Sequence, residues 1–144
     1  MIGREQILAL IPHAGRMCLI ERVLRWSEAE ILCESDNHRD PAHPLRRAGG
    51  LAAVCLIEYG AQAAAIHGAL LAPDQTNARR SGMLVSVRDC ELAVDCLHDL
   101  RGPLRLDVRC ELARTDGLIY FFEATNRGHL LARGRISILL ALDS

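Results

Sequence analysis

The sequence predicts an α+β domain in which an antiparallel sheet of about six strands curls around one long central helix. Three observations predict it. The segment Leu51 to Leu71 is rich in Ala, Leu and Ile and apolar nearly all the way round, so it reads as a helix covered on most sides. Runs that alternate loosely between apolar and polar residues precede and follow it, two before and four after. The chain between them carries turn residues but no repeat, low-complexity stretch or linker, so residues 1–144 read as one domain.

Taken in order, Glu5 to Leu10 reads as a short helix ending before Pro12, because a proline restricts its predecessor and cannot continue the ladder. Met17 to Trp26 and Glu28 to Asp36 read as two strands joined near Ser27. Asn37 to Gly50 (NHRDPAHPLRRAGG) has prolines, glycines, histidines and arginines without periodicity, which makes it a loop. After the long helix, 73–80 is a polar loop. Met83 to Val94, Leu104 to Ala113, Leu118 to Thr125 and Leu130 to Leu142 then read as four strands in a meander, with turns at Thr115-Asp116-Gly117 and Asn126-Arg127-Gly128. A sheet wrapped around one apolar helix is the hotdog arrangement. It leaves one helix flank and an edge strand poorly covered, and pairing with a second subunit about a two-fold axis would cover both.

Composition removes several function classes. All 17 cations are arginines, so lysine-dependent Schiff-base and P-loop chemistry is absent. A net charge of -1 lacks the basic excess of a protein that neutralises nucleic-acid phosphates, and five aromatics give no stacking platform for single strands. The six cysteines include no C-x-x-C pair, so they read as free, buried thiols of a reducing cytoplasm, and no metal site is expected. The N-terminal apolar stretch is too short and too charged for a signal peptide. Leu51 to Ala72 is long enough to span a bilayer. Glu58, Gln62 and His67 within it favour a buried helix of a soluble protein instead.

Glu58 is the residue hardest to explain as structure. A carboxylate in the middle of an apolar helix, on one stripe with Leu51, Cys55 and Gln62, is costly to bury unless it is paired or held for a task. Pairing with an arginine is the structural reading; general acid/base work is the functional one. The loop before the helix offers His38 and His43, 20 and 15 residues ahead of Glu58, as partners. His67 falls on the other side of the helix and reads as a core or edge residue, while His98 and His129 read as surface groups at turns.

Two motifs then resemble the β-hydroxyacyl-acyl-carrier-protein dehydratases. Ile7-Leu8-Ala9-Leu10-Ile11-Pro12-His13 followed by Leu19-Ile20-Glu21-Arg22-Val23-Leu24 is similar to the family's opening, with Glu21 in place of Asp. Leu56-Ile57-Glu58-Tyr59-Gly60-Ala61-Gln62-Ala63 is similar to the Glu/Gln motif of its central helix. The loop departs from the family's "Gly-His-Phe-Pro-Gly": His43 matches better in spacing, His38 in its His-x-x-Pro context, and Ala53 stands where a glycine amide would hold the thioester carbonyl. The pattern looks closest to the divergent dehydratase-like proteins of aryl-polyene pathways.

The resemblance implies a 3-hydroxyacyl thioester on the phosphopantetheine of an acyl carrier protein, dehydrated to the trans-2-enoyl thioester without a further cofactor. A loop histidine, His38 or His43, of one subunit would take the α-proton, and Glu58 of the other would protonate the leaving hydroxyl, the two facing a shared acyl tunnel. Ala53 and Gln62 would line the substrate site, and Arg46, Arg47, Arg79 and Arg80 would meet the acidic carrier. The expected assembly is a homodimer, or a heterodimer with a paralogous hotdog dehydratase. His13 is implied to be structural or to line the pocket mouth. Alternatives are a non-catalytic hotdog subunit supporting a partner dehydratase, and an acyl thioesterase using the same carboxylate to activate water.

Overall fold

The computed structural model describes residues 1–11, 17–71 and 82–140. A short helix α1 (Arg4–Leu10) is followed by strands β1 (Arg22–Trp26) and β2 (Glu30–Ser35), the central helix α2 (Leu56–Leu71), and strands β3 (Gly82–Leu92), β4 (Leu104–Ala113), β5 (Gly117–Asn126) and β6 (His129–Leu140). The strands form a single antiparallel sheet in the order β1-β2-β4-β5-β6-β3. The hotdog arrangement expected from the sequence is therefore present.

Period-two burial explains which sheet face meets the helix. Ile31 and Cys33 on β2, Leu104, Leu106 and Val108 on β4, Tyr120, Phe122 and Ala124 on β5, and Ala132, Ile136 and Ile138 on β6 all point inward. At the centre, Phe122 occupies the space left by two glycines. A Cβ on Gly60 of α2 would lie 3.0 Å from its Cγ, and one on Gly134 of β6 would lie 3.3 Å from its Cε1. Helix and sheet approach closely there because neither position carries a side chain. The β5–β6 hairpin closes through Arg127 and Gly128, both with positive φ, as a two-residue turn matched to strand twist requires.

The four-strand meander expected after the helix is corrected. Only β4, β5 and β6 run consecutively; β3 lies at the far edge and pairs with β6, while β4 pairs with β2. Alternation identifies a strand but not its neighbour, and here the long connection 93–103 carries the chain back across the molecule. That connection is anchored to the start of the helix: Ala52 bridges Cys96, the Leu97 N–H donates to Leu51 O at 2.8 Å, and Leu51 N–H donates to His98 Nδ1 at 3.0 Å. His98 is thus a half-buried support rather than the surface group expected. Its ring lies over Gly50, where φ is +105° and a Cβ would come within 2.1 Å of the imidazole.

The first strand is also shorter than expected. Cys18, Leu19 and Ile20 are all buried, and side chains rather than a neighbouring strand bind their backbone. The Ser35 hydroxyl donates to Leu19 O at 2.8 Å, and Gln62 accepts the Leu19 N–H at 2.8 Å. The Leu51 to Leu71 helix likewise opens differently, with a bridge at Ala52 and a 3₁₀ turn over Ala53–Cys55 before α2 begins. The 53–71 stretch is long and apolar enough to cross a membrane by composition, yet α2 buries Leu56, Tyr59, Ala63, Ala64, Ile66 and His67 within the domain. Ile57, Glu58, Ala61 and Ala65 form a flank that is only half covered.

Candidate active site

Glu58 lies in the first turn of α2, half-buried, on that incompletely covered flank. Gln62, one turn on and 1% exposed, donates its amide N–H to Glu58 Oε1 at 3.1 Å. The same nitrogen donates to Met17 O at 2.8 Å, and its oxygen accepts the Leu19 N–H. Both amide hydrogens of Gln62 are therefore engaged within the chain. It positions Glu58 and pins the N-terminal arm.

The loop after β2 folds as successive turns, with Asp40 N–H donating to Asn37 O, His43 N–H to Asp40 O, and Arg46 N–H to His43 O. The Asp40 carboxylate accepts the Ala42 N–H at 2.8 Å, an Asx-type bond that spaces the two prolines. The turns send the two histidines to different places. His38, fully buried, places Nε2 2.7 Å from Leu100 O in the 93–103 connection; a carbonyl only accepts, so Nε2 carries the hydrogen. Its Nδ1 is then a lone pair, enclosed and without a hydrogen-bond partner among the described residues.

His43 turns to the central helix instead. Its Nε2 lies 2.8 Å from the hydroxyl of Tyr59, the residue after Glu58, and the two rings are stacked with centroids 6.0 Å apart. Leu45 N–H donates to His43 Nδ1 at 3.1 Å. The Tyr59 hydroxyl in turn donates to Asn37 Oδ1 at 2.6 Å. Burial pushes the ionisation of Tyr59 far above the usual phenol value, and the charge of Glu21 adds to this, so the hydroxyl keeps its proton. Tyr59 and Asn37 were missed in the sequence reading. The available signal was a polar aromatic beside the lone helix carboxylate.

The remaining expected residues divide. The Ala53 N–H donates to Asp95 O at 2.9 Å, so in this chain it is already engaged. Arg46 is half-buried and Arg47 exposed beside the helix start, in a turn closed by reciprocal Arg47–Gly50 backbone bonds. Burial raises the ionisation of Cys55, and the Arg47 charge acts in the opposite direction. Arg79, Arg80 and His13 lie outside the described residues. His67 is a core histidine, as expected, and all six cysteines are free.

Among the described residues one group, Cys96, His98 and Asp99, has the composition of a metal site. His98 Nδ1 accepts the Leu51 N–H, so Nε2 carries the ring hydrogen and lies 3.6 Å from Asp99 Oδ2. That nitrogen offers no lone pair to a cation in this tautomer, and the group reads as a support for the helix start.

A sheet wrapped on one helix, with a half-buried carboxylate at the helix start and a loop histidine on the next helical residue, defines a hotdog protein. A sequence model of the ApeP-like family, described as ApeP dehydratase, matches residues 5–143, and the chain belongs to that family. The fold is similar to a chain of the dehydratase heterocomplex ApeI:P from Xenorhabdus doucetiae, at 22% identity and a TM-score of 0.84, covering 95% of this chain and 91% of that one. It is also similar to a thioesterase from Haemophilus influenzae (11% identity, TM-score 0.68, 98% and 92% covered) and a mutant thioesterase from Pseudomonas aeruginosa (11%, 0.64, 95% and 92%). No curated protein matches the chain.

Proposed function

We propose that the protein dehydrates a 3-hydroxyacyl thioester, borne on the phosphopantetheine arm of an acyl carrier protein, to the trans-2-enoyl thioester. The setting would be the synthesis of a fatty-acid-like or aryl-polyene chain. The observation that carries this reading is the Glu58 carboxylate, held by Gln62 on the open flank of the core helix, in a chain of the ApeP-like dehydratase family. His43 takes the proton from Cα, whose bonding pair becomes the Cα=Cβ bond. The Cβ–O bond breaks, and the hydroxyl leaves as water with the proton supplied by Glu58. The His43 proton then returns to Glu58 through solvent, which restores both groups. No electron is gained or lost, so the step needs no redox cofactor.

Both histidines are buried, and His43 is preferred because its ring rests on α2 at Tyr59, the residue after Glu58, whereas His38 bonds Leu100 in the 93–103 connection. The incompletely covered flank of α2 and the β3 edge support a second hotdog subunit, identical or paralogous, as the other half of the working site. An exposed Arg47 beside Arg46 suits the phosphate of the carrier arm. In the assembled protein, Glu58→Gln and His43→Ala should each lower enoyl-thioester formation at least about 100-fold, read by mass spectrometry as loss of water on the intact carrier. Release of free acid would establish a thioesterase instead. A second reading, a supporting subunit, is favoured by the engaged Ala53 N–H. Unchanged turnover of the Glu58→Gln complex would select it.

A further inference from the structure

We infer that Tyr59 and Asn37 are positioning residues that fix His43 as its Nε2–H tautomer, and that the backbone of Leu19 joins this branch to the one holding Glu58. The inference rests on the reading of His43 and Glu58 as the proton-moving pair, and it assigns to two further residues the task of setting where the histidine lone pair lies.

The assignment follows one bond at a time. Asn37 Nδ2 donates to Leu19 O at 2.9 Å, and since only the amide nitrogen can donate to a carbonyl, the orientation of Asn37 is fixed with Oδ1 toward Tyr59. That oxygen takes the single hydrogen of the Tyr59 hydroxyl, 2.6 Å away. The Tyr59 oxygen then has only lone pairs to offer His43 Nε2 at 2.8 Å, so the ring must donate. The other side of the ring gives the same answer independently, because Leu45 N–H points at Nδ1 and requires a lone pair there. Nδ1 therefore carries the ring's lone pair, which the Leu45 N–H occupies at rest and must release before His43 takes a proton. Without the Asn37 oxygen, the Tyr59 hydrogen could turn to His43, and only the Leu45 N–H would oppose the other tautomer.

Leu19 carries the connection onward. Its carbonyl accepts from both Asn37 and Ser35, and its N–H donates to Gln62 Oε1. That acceptance turns the Gln62 nitrogen toward Glu58 Oε1. One residue with no side-chain chemistry thus orients the amide that sets the histidine and the amide that holds the carboxylate. His38 stands outside this chain of bonds, with its hydrogen on Leu100 O.

The test uses the full chain labelled with ¹⁵N-histidine, together with the Tyr59→Phe and Asn37→Ala variants. Long-range ¹H–¹⁵N correlation reads the tautomer, and steady-state kinetics of the assembled protein reads the consequence. Wild-type His43 should be Nε2–H. Tyr59→Phe should weaken that preference, leaving the Leu45 N–H alone to hold it, and lower kcat about tenfold with KM within about twofold, the pattern of a misplaced base rather than lost substrate binding. Asn37→Ala should raise the Nδ1–H fraction, and it keeps the test alive should Tyr59→Phe fail to fold. An Nδ1–H tautomer in the wild type, or an unchanged tautomer in both variants, overturns the inference. A shifted tautomer with full kcat, while Glu58→Gln remains inactive, overturns the positioning role and leaves the dehydratase reading intact. Full activity of Glu58→Gln as well would remove that reading instead, and the tautomer assignment would then be decided by the spectrum alone.

Discussion

Two histidine–tyrosine pairs lie along the central helix, and they bond in opposite directions. At its start, His43 Nε2 donates to Tyr59, whose own hydrogen is taken by Asn37. Nearer its end, His67 Nε2 faces the carbonyl of Ser27 at 2.8 Å and must donate there, so Nδ1 accepts the hydroxyl hydrogen of Tyr120 at 2.7 Å. The rings are stacked in the first pair and edge-to-face in the second, at 5.6 Å. A third group decides each case: a side-chain amide of a loop near Glu58, or a main-chain carbonyl between β1 and β2. The His67 pair closes on a main-chain carbonyl of the β1–β2 turn and ties that turn to the core. The His43 pair closes on the Asn37 side chain in the loop before the helix, at the residue after Glu58.

The comparison breaks most visibly if the two tyrosines are exchanged for phenylalanine in turn. Tyr59→Phe should cost activity, as set out above. Tyr120→Phe should leave turnover unchanged but lower stability by about 1–2 kcal/mol in urea unfolding, because it strands a buried acceptor on His67. A Tyr120→Phe protein that keeps its stability and loses kcat would reverse the two assignments.

A smaller effect separates the pairs by pH. Burial depresses the pKa of His67 below its ordinary 6.5, while the bond to Ser27 O acts in the opposite direction. A depressed folded-state value means that the unfolded chain takes up the proton first. The stability associated with the neutral ring is complete above 6.5 and is lost as pH falls from there toward the folded value. His67→Gln should flatten the acid side of the stability profile between pH 7 and pH 5, about where unperturbed histidine titrates. An equally steep profile in the variant would assign the loss to other groups.

The smallest expected effect belongs to the arginines at the His43 end. Arg46→Ala combined with Arg47→Ala should raise KM for an acyl carrier protein substrate about two- to fivefold, the scale of exposed ion pairs, and leave KM for a short thioester mimic unchanged. Equal effects on both substrates would remove carrier docking from this surface.

The sequence is legible where chemistry is local. Leu104 to Ala113 was bounded correctly because its alternation is regular and ends at turn residues. Glu58 stood out because a carboxylate inside an apolar helix is expensive wherever that helix packs. What the sequence does not show is which partners come from distant segments. Gln62 resembles a substrate ligand, and only the fold brings its three bonds to Met17, Leu19 and Glu58 into view. Ala53 offered a plausible amide that Asp95, more than 40 residues away, already engages.

The sequence by itself determined the hotdog class, the order of its elements, a lysine-free set of 17 cations and the one acid of the central helix, since periodicity and burial cost are properties of a segment. Tertiary structure alone decided that β3 crosses to the far edge, that His38 bonds Leu100 while His43 meets the helix, and which nitrogen of each ring carries hydrogen. Those outcomes depend on a carbonyl or amide brought within about 3 Å from elsewhere in the chain, and a hydrogen bond's direction is set only when its last partner is in place.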